Sequence, residues 1–402
     1  MPMRPCWAEI HTGALEENLR FLTTLAAPHA ELLAIVKANA YGHSLALCAP
    51  AAVRAGARWL GVTSVEEGIA ARALCPDARV LIMSGIAQGQ AAAAIQFQLT
   101  PIAWELWQLD ELASAARAEG AAPGSVAVHL EIDTGMSRQG VLPDELAGIF
   151  ARFAPGSPLR LEGVMTHLFA ADEADGQVTR QQLTRLDAAL SRISAAGLFA
   201  EWLNVGNSAA LLAGQARSLA ELAARHGMKA LLRPGFALYG LIPEFDPAFA
   251  AGEEPSSLAA ARAALQPVMT WKASVIGVRT APAGATVGYN GTFVATEPMR
   301  LALVAAGYAD GLSRALGNCS HLLVRGQRAP IVGRISMDQT VLDVTEIADV
   351  AAGDEVVLIG AQAGEAITVF DHARAADTIA WEIFTRIGPR VARTAVESGA
   401  AG

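Results

Sequence analysis

Leu32-Leu33-Ala34-Ile35-Val36-Lys37-Ala38-Asn39-Ala40-Tyr41-Gly42-His43 runs from unbroken apolar sequence into a lysine and then into small and polar residues. A continuous apolar run of this length fits a strand buried on both faces, as in a parallel sheet. The lysine stands where such a strand would deliver its side chain to a pocket. An amine held out of bulk water loses its proton more readily, and the neutral amine is the form that condenses with an aldehyde. Lys37 is therefore the candidate Schiff-base lysine, against the ordinary alternative of an exposed or carboxylate-paired strand end.

Further strands of the same kind follow. Counting from Leu32–Lys37, they fall at Trp59–Thr63, Arg79–Met83, Leu99–Ala103, Val126–Ile132, Leu161–Thr166, Trp202–Val205 and Leu231–Leu238. Helical patterns lie between them, such as Val178–Ala196 with Leu183, Leu186, Leu190 and Ile193 at spacings of three and four. This alternation predicts an α/β fold, a (β/α)8 barrel of the TIM type, over residues 1–245. A Pro, Gly and Ser-rich stretch makes 246–267 the expected linker. Beyond it the pattern turns to short strands at Val268–Val278, Leu301–Ala305, Leu322–Val324, Ile331–Ile335, Val341–Val344 and Glu355–Ile359, then one helix at His372–Arg386. Residues 268–402 are thus expected to form a mainly β domain.

At 402 residues the chain is too long for one ordinary core, in keeping with two domains. No apolar run approaches a membrane span. The first residues lack the apolar segment of a signal peptide, and the four cysteines (Cys6, Cys48, Cys75, Cys319) lack metal or disulfide spacing, so a cytoplasmic protein with free thiols is expected. A net charge of −9 without a basic cluster argues against nucleic acid as a partner. The histidines show no ligand spacing, and no metal is expected.

In a barrel of this type the active site gathers at the C-terminal ends of the strands. Polar residues follow the apolar runs there: Lys37, Asn39 and Tyr41; Asp133 to Arg138; His167; Gly206-Asn207-Ser208; and Arg233-Pro234-Gly235. The last two strand ends are a frequent phosphate site, and Gly206, Ser208 and Gly235 suit backbone and hydroxyl donors. A lysine together with a phosphate cradle points to pyridoxal 5′-phosphate.

The strings VKANAYGH (36–43), DTGMSR (133–138), NVGNSA (204–209), LRPGFALYGL (232–241), VGYNG (287–291), AAGYADG (305–311) and VGRISMDQ (332–339) resemble, in order, those of the alanine racemase family. The resemblance implies a pyridoxal phosphate enzyme of fold type III that interconverts L- and D-alanine with two bases. Lys37 would hold the cofactor aldehyde and serve as one base. The other would be Tyr289, supplied in the family by the second subunit, so a homodimer is implied. Because a free tyrosine ionises only near about pH 10, cationic neighbours favouring the phenolate are needed, and the resemblance offers His167 and Arg233 as a hydrogen-bonded chain leading to it. Arg233 also matches the arginine facing the pyridine nitrogen, where a guanidinium would leave that nitrogen unprotonated and limit side reactions. Tyr41, Asn207, Ser208, Gly235 and Phe236 match the cofactor site, Arg138 the cofactor hydroxyl and substrate carboxylate, Met337 a backbone N–H for that carboxylate, and Tyr308 the entrance.

Two positions depart from the family pattern. Glu131, seven residues before Arg138, stands where many members have a carboxylated lysine, and the resemblance implies that its carboxylate orients Arg138 without modification. Trp381 replaces a tyrosine near phosphate and substrate, with only an indole N–H to donate. Ordinary readings stand beside these roles: Asp133 as a turn cap, His167 as a core histidine, Arg138 and Arg233 as braces, Tyr289, Tyr308, Met337 and Trp381 as packing, with Asn39, Asn207 and Asp338 open. The rival functions are a serine or broader racemase, a barrel-type decarboxylase, and a cofactor-carrying barrel without catalysis. A decarboxylase would typically show a glycine-triplet phosphate loop, which is not found; a carrier would need only the first domain.

Overall fold

The computed structural model describes residues 4–251 and 254–396. Its first strand, β1 (Cys6–His11), joins the C-terminal sheet. Then follow eight parallel strands, β2 (Ala30–Ile35), β3 (Trp59–Val62), β4 (Arg79–Ile82), β5 (Thr100–Ala103), β6 (Val126–Glu131), β7 (Leu159–Met165), β8 (Trp202–Asn207) and β9 (Lys229–Arg233). They close into a barrel where Ala30 pairs with Ala230 and Leu32 with Leu232. Leu33, Leu60, Leu81, Ile82, Ile102, Leu203 and Leu231 are fully buried, each contributing about 1.5–3 kcal/mol. The expected barrel is the observed fold; the strand bounds move by a few residues. β9 stops at Arg233 because Pro234 has no N–H for the ladder, and a short 3-10 helix, Phe236–Tyr239, follows.

The barrel's N-terminal end is closed by polar residues wrapped in aromatics. Glu162, buried on β7, accepts from Arg160 Nη2 at 2.8 Å and lies 2.5 Å from Arg79 Nη2. The Arg79 guanidinium in turn stacks 3.7 Å from the Trp59 ring centroid. Burial pushes the Glu162 carboxyl up, but His129 and the arginines outweigh it and hold it down to about 2. His129 is itself pushed down by burial, against the pull of Glu162. A depressed carboxyl stabilises the fold above its unfolded pKa of about 4.3, and the contribution is lost as pH falls through the folded value. Glu162→Ala is expected to lower stability by about 1–3 kcal/mol at neutral pH, since both half-exposed arginines can turn to water. Thermal melts should show that deficit shrinking as the pH is brought toward 2.

The second sheet is built around β10 (Met269–Ala281), whose Met269, Trp271, Ala273 and Val275 are buried at every second position. That alternation is a strand with one covered face. β10 pairs with β1, with Met299–Val304 and with Glu355–Gln362, and β1 also pairs in parallel with Ala392–Val396. Residues 14–40 and 48–266 therefore form one compact unit, and residues up to 13, 41–47 and from 267 onward form the other.

Four expectations change. Residues before Gly13 leave the 1–245 domain because β1 finds its partners in the C-terminal sheet. The supposed linker 246–267 is no plain linker: Ser256–Ala264 is a helix whose Leu258 and Ala261 are buried and whose Ser257 Oγ donates to Leu212 O at 2.7 Å, while residues 252–253 lie outside the described residues. The strand placed at Ile331–Ile335 is instead Gln327–Pro330, turned back on His321–Val324 through Arg325 and Gly326, both at positive φ. The helix placed at His372–Arg386 is two, Val369–Ala375 and Ala380–Thr385, interrupted where Asp377 turns left-handed. No helix among the described residues is long and apolar enough to cross a membrane.

Candidate active site

β2 ends one residue before Val36, and the chain then does something unusual for residues with a Cβ. Ala38, Asn39, Ala40 and Tyr41 all take left-handed φ, between 52° and 57°. Such backbone costs roughly 1–2 kcal/mol per residue, so it persists only where surrounding bonds hold it. Here Ala38 N donates to Glu67 Oε1 at 2.7 Å and Ala40 N to Val36 O at 2.8 Å. Glu67, which sequence reading missed, also receives Thr63 N through its other oxygen at 2.8 Å. Its signal was present as Ser64-Val65-Glu66-Glu67, a serine N-cap with glutamate three residues on.

Lys37, at the start of this turn, is half-buried. The chain has three lysines: Lys229 pairs with Glu201 at 3.2 Å, and Lys272 with Glu9 and Glu355 at 3.0 and 3.1 Å. Lys37 has no carboxylate within pairing distance among the described residues. Burial lowers its proton affinity, with Arg138 and Arg233 adding to the effect against the pull of Glu67. The amine is poised for nucleophilic use.

Arg233, at the end of β9 and 4% exposed, has five N–H donors and four are committed. Nη1 reaches Asn204 O at 2.7 Å and Asn204 Oδ1 at 2.6 Å; Nη2 reaches Thr166 O at 2.9 Å and His167 Nδ1 at 3.2 Å. Nε–H alone has no acceptor among the described residues. Burial and Arg138 lower the guanidinium's pKa to about 10 against the pull of Glu131, which leaves it charged at neutral pH.

That bond also fixes the state of His167. An arginine N–H can only donate, so Nδ1 is the acceptor and the proton of a neutral ring sits on Nε2. Burial, then Arg233, Arg138 and Lys37, press its pKa down to about 3. His167 is thus a neutral N–H donor and no cation. Its carbonyl is gripped by the buried Gln182 at 2.9 Å, whose Nε2 also reaches Thr134 Oγ1 at 3.0 Å.

After β8 and β9, Ser208 Oγ accepts Gly235 N at 3.0 Å and Ala237 N at 3.2 Å, so two N–H groups and a hydroxyl converge there. Phe236 is buried beside them. Asn207 serves the backbone through both ends of its amide, Oδ1 capping Ala210 N at 3.0 Å and Nδ2 donating to Leu168 O at 3.0 Å. Asp133 is the turn cap of the ordinary reading, accepting Gly135 N at 2.8 Å and Ser137 N at 3.2 Å.

The expected Glu131 to Arg138 contact is absent among the described residues. Glu131 is buried on β6 and accepts from Gln139 Nε2 at 2.5 Å, while Arg138 is exposed with no hydrogen-bond partner among those residues. The tight turn held by Asp133 carries Gln139 inward and leaves Arg138 pointing to solvent. Burial raises the Glu131 carboxyl's pKa; Gln139, Arg233 and Arg138 pull the other way. Its field acts on both arginines without a bond to Arg138.

Tyr41, Tyr289, Tyr308, Met337 and Trp381 belong to the second unit. Burial pushes the Tyr41 hydroxyl up to about 12. Tyr289, at the tip of a hairpin between Thr286–Val287 and Phe293–Val294, is 69% exposed, and Tyr308 and Met337 are also largely exposed. Trp381 is half-buried in Ala380–Thr385. No cluster of three metal-ligating side chains occurs among the described residues.

Comparison with known proteins shows which chains this one is similar to. The sequence matches the family descriptions "Alanine racemase, N-terminal domain" over residues 10–243 and "Alanine racemase, C-terminal domain" over residues 268–395. An alanine racemase of Symbiobacterium thermophilum is 39% identical, with 97% of each chain covered. Among solved structures, alanine racemase from Streptomyces lavendulae is 36% identical with a TM-score of 0.86, covering 99% of this chain and 98% of that one. The Bartonella henselae enzyme, described with covalently bound pyridoxal phosphate, is 28% identical with a TM-score of 0.81, covering 98% of this chain and 99% of that one. With both units matched and relatives of equal length aligned along them, the chain belongs to the alanine racemase family.

Proposed function

We propose that the protein interconverts L- and D-alanine with pyridoxal 5′-phosphate, as a homodimer in which each site takes Lys37 from one protomer and Tyr289 of the partner subunit. The observation that carries this reading is the donor count at Arg233, one buried N–H without an acceptor among the described residues, together with a lysine without a carboxylate partner among them and a Ser208 cradle. The three fit the pyridine nitrogen, the aldehyde and the phosphate of that cofactor. Pyridoxal phosphate, when bound, binds the amino group covalently and draws electron density away from the α-carbon.

The chain's own groups do the rest. Lys37 holds the cofactor and, once released, takes or returns the α-proton on one face; Tyr289 of the partner subunit does so on the other. His167, neutral with Nε2–H outward, extends the Arg233 chain as a donor that lowers the cost of a phenolate without itself carrying charge. Arg138, without a hydrogen-bond partner among the described residues, is available to the substrate carboxylate, and so is the backbone N–H of Met337. Tyr41 belongs with the phosphate donors, and Tyr308 narrows the entrance. Trp381, in place of a tyrosine, bears on which side chains fit.

Arg233→Lys would keep a charge but lose the planar fork that reaches Asn204, Thr166 and His167 together. Its kcat/KM is expected to fall about 100-fold or more, with weakened cofactor retention seen by absorbance. The function itself is tested by chiral chromatography of L-alanine and, separately, L-serine after incubation with cofactor-loaded protein. Progress of alanine toward a racemic mixture supports the reading, and the alanine-to-serine ratio reports on Trp381. If neither substrate is racemised while the cofactor stays bound at Lys37, the decarboxylase or carrier readings replace it and Tyr289 loses its role.

A further inference from the structure

Two turns of the β unit, residues 307–311 and 336–339, are stitched to each other. Tyr308 N donates to Ser336 O and Ala309 N to Met337 O, both at 3.0 Å. Gly307 is required here, because a Cβ would collide with the carbonyls of Ser336 and Met337. At the junction lies Asp310, fully buried and charged. Arg4 reaches it through Nε at 2.9 Å and Nη2 at 2.7 Å, Arg390 through Nε at 2.8 Å and Nη2 at 3.0 Å, and Gly307 N adds a fifth bond at 2.9 Å. Burial pushes the carboxyl up, but the two guanidinium groups overcome it and hold its pKa below the usual carboxylate range.

The same two arginines go on to the second turn. Arg390 Nη2 donates to Asp338 Oδ1 at 2.7 Å and to Met337 O at 3.4 Å; Arg4 Nη2 donates to Asp338 O at 3.3 Å. Every carbonyl from Ser336 to Asp338 is thus occupied from behind. The N–H groups of Met337 and Asp338, by contrast, have no acceptor among the described residues. A turn with its carbonyls tied back and consecutive N–H groups unused is a receptor for an anion. Its donor positions are set by whatever fixes those carbonyls.

We infer that Asp310, through Arg4 and Arg390, is the positioning residue for substrate carboxylate recognition at Met337, and for Tyr308 on the adjoining turn. The inference deepens the proposed function and rests on its use of the Met337 N–H. Asp310 itself is fully buried with both oxygens taken by Arg4, Arg390 and Gly307 N, so it acts through them. It neutralises two arginines that would otherwise repel one another and part, carrying both turns with them.

The test uses the cofactor-loaded full chain. Asp310→Asn, Arg390→Ala, Arg390→Lys and Arg4→Ala are compared with the wild type for kcat and KM in both directions, for inhibition by propionate, and for Tm. Propionate has alanine's carboxylate and carbon chain without the amine, so its inhibition constant reads carboxylate recognition apart from chemistry. Asp310→Asn and Arg390→Ala are expected to raise KM and that constant together by about ten- to a hundredfold, since small misplacements of a fixed donor weigh heavily. The change in kcat should stay within about threefold, and Arg390→Lys should fall between. If Asp310→Asn does not fold, the arginine variants decide, their side chains being 30% and 35% exposed. A lowered Tm with KM and propionate inhibition unchanged makes the cluster a plain brace and overturns the inference alone. A wild type that neither racemises alanine nor binds propionate overturns the proposed function as well.

Discussion

Lys37→Ala is expected to abolish racemisation, lowering kcat/KM by roughly 10⁴-fold or more, because in the proposed mechanism one residue both anchors the cofactor and serves as a base. The loss should not be rescued by another amine of the chain. Lys229 lies 5.4 Å above the Trp202 ring with Glu201 beside it, and Lys272 is gripped by Glu9 and Glu355. Burial pushes Lys272 down, but its carboxylates overcome that and raise its pKa, whereas the net shift at Lys37 is downward. The neutral, nucleophilic fraction is thus larger at Lys37 than at Lys272. Borohydride reduction of the loaded wild type, followed by peptide mapping, should place the cofactor label on Lys37 alone. A label on Lys229 or Lys272, or undiminished turnover by Lys37→Ala, would remove Lys37 from the centre of the mechanism.

The sequence disclosed the barrel because parallel strands buried on both faces must be continuously apolar, and because Lys37, His167 and Arg233 stand directly after such runs. Partners distant in sequence left no such trace. β1 reads as an isolated strand near the N-terminus, and nothing local says that it pairs with β10 and Ala392–Val396. The Arg4 to Asp310 contact spans 306 positions and was equally hidden. Gln139 displaced Arg138 as the partner of Glu131 because a tight turn reverses which side chain points inward, which the spacing of charges does not reveal.

Protonation states lay deeper still. His167 was expected as part of a chain supporting a phenolate, and its residue type allows a cation there. Only its burial among Arg233, Arg138 and Lys37 shows that it is neutral and on which nitrogen its proton sits. The unused Nε–H of Arg233 is likewise visible only once the other four donors are assigned. The chemistry was legible as residue types at strand ends; the donor directions had to come from packing.

Those directions bear on Tyr289, the proposed second base. In Tyr289→Phe the proton can be moved on one face of the α-carbon but not returned on the other, so racemisation is expected to fall by roughly 10²–10⁴-fold. Because two enantiomers have equal free energy, kcat/KM must fall equally in both directions. Exchange of the α-proton with deuterated water should nonetheless persist for the single enantiomer whose proton faces Lys37. Exchange of both enantiomers at wild-type rates would assign the second base to another group. Since Tyr289 is 69% exposed on its own chain, it is available to a neighbouring subunit, and mixing variants tests that. Equal amounts of Lys37→Ala and Tyr289→Phe chains, dissociated and reassociated at random, should recover about a quarter of wild-type activity, because half the dimers are mixed and each mixed dimer holds one intact site. Were the tyrosine to serve the lysine of its own chain, every site in every dimer would lack one base, and the mixture would stay as inactive as its components.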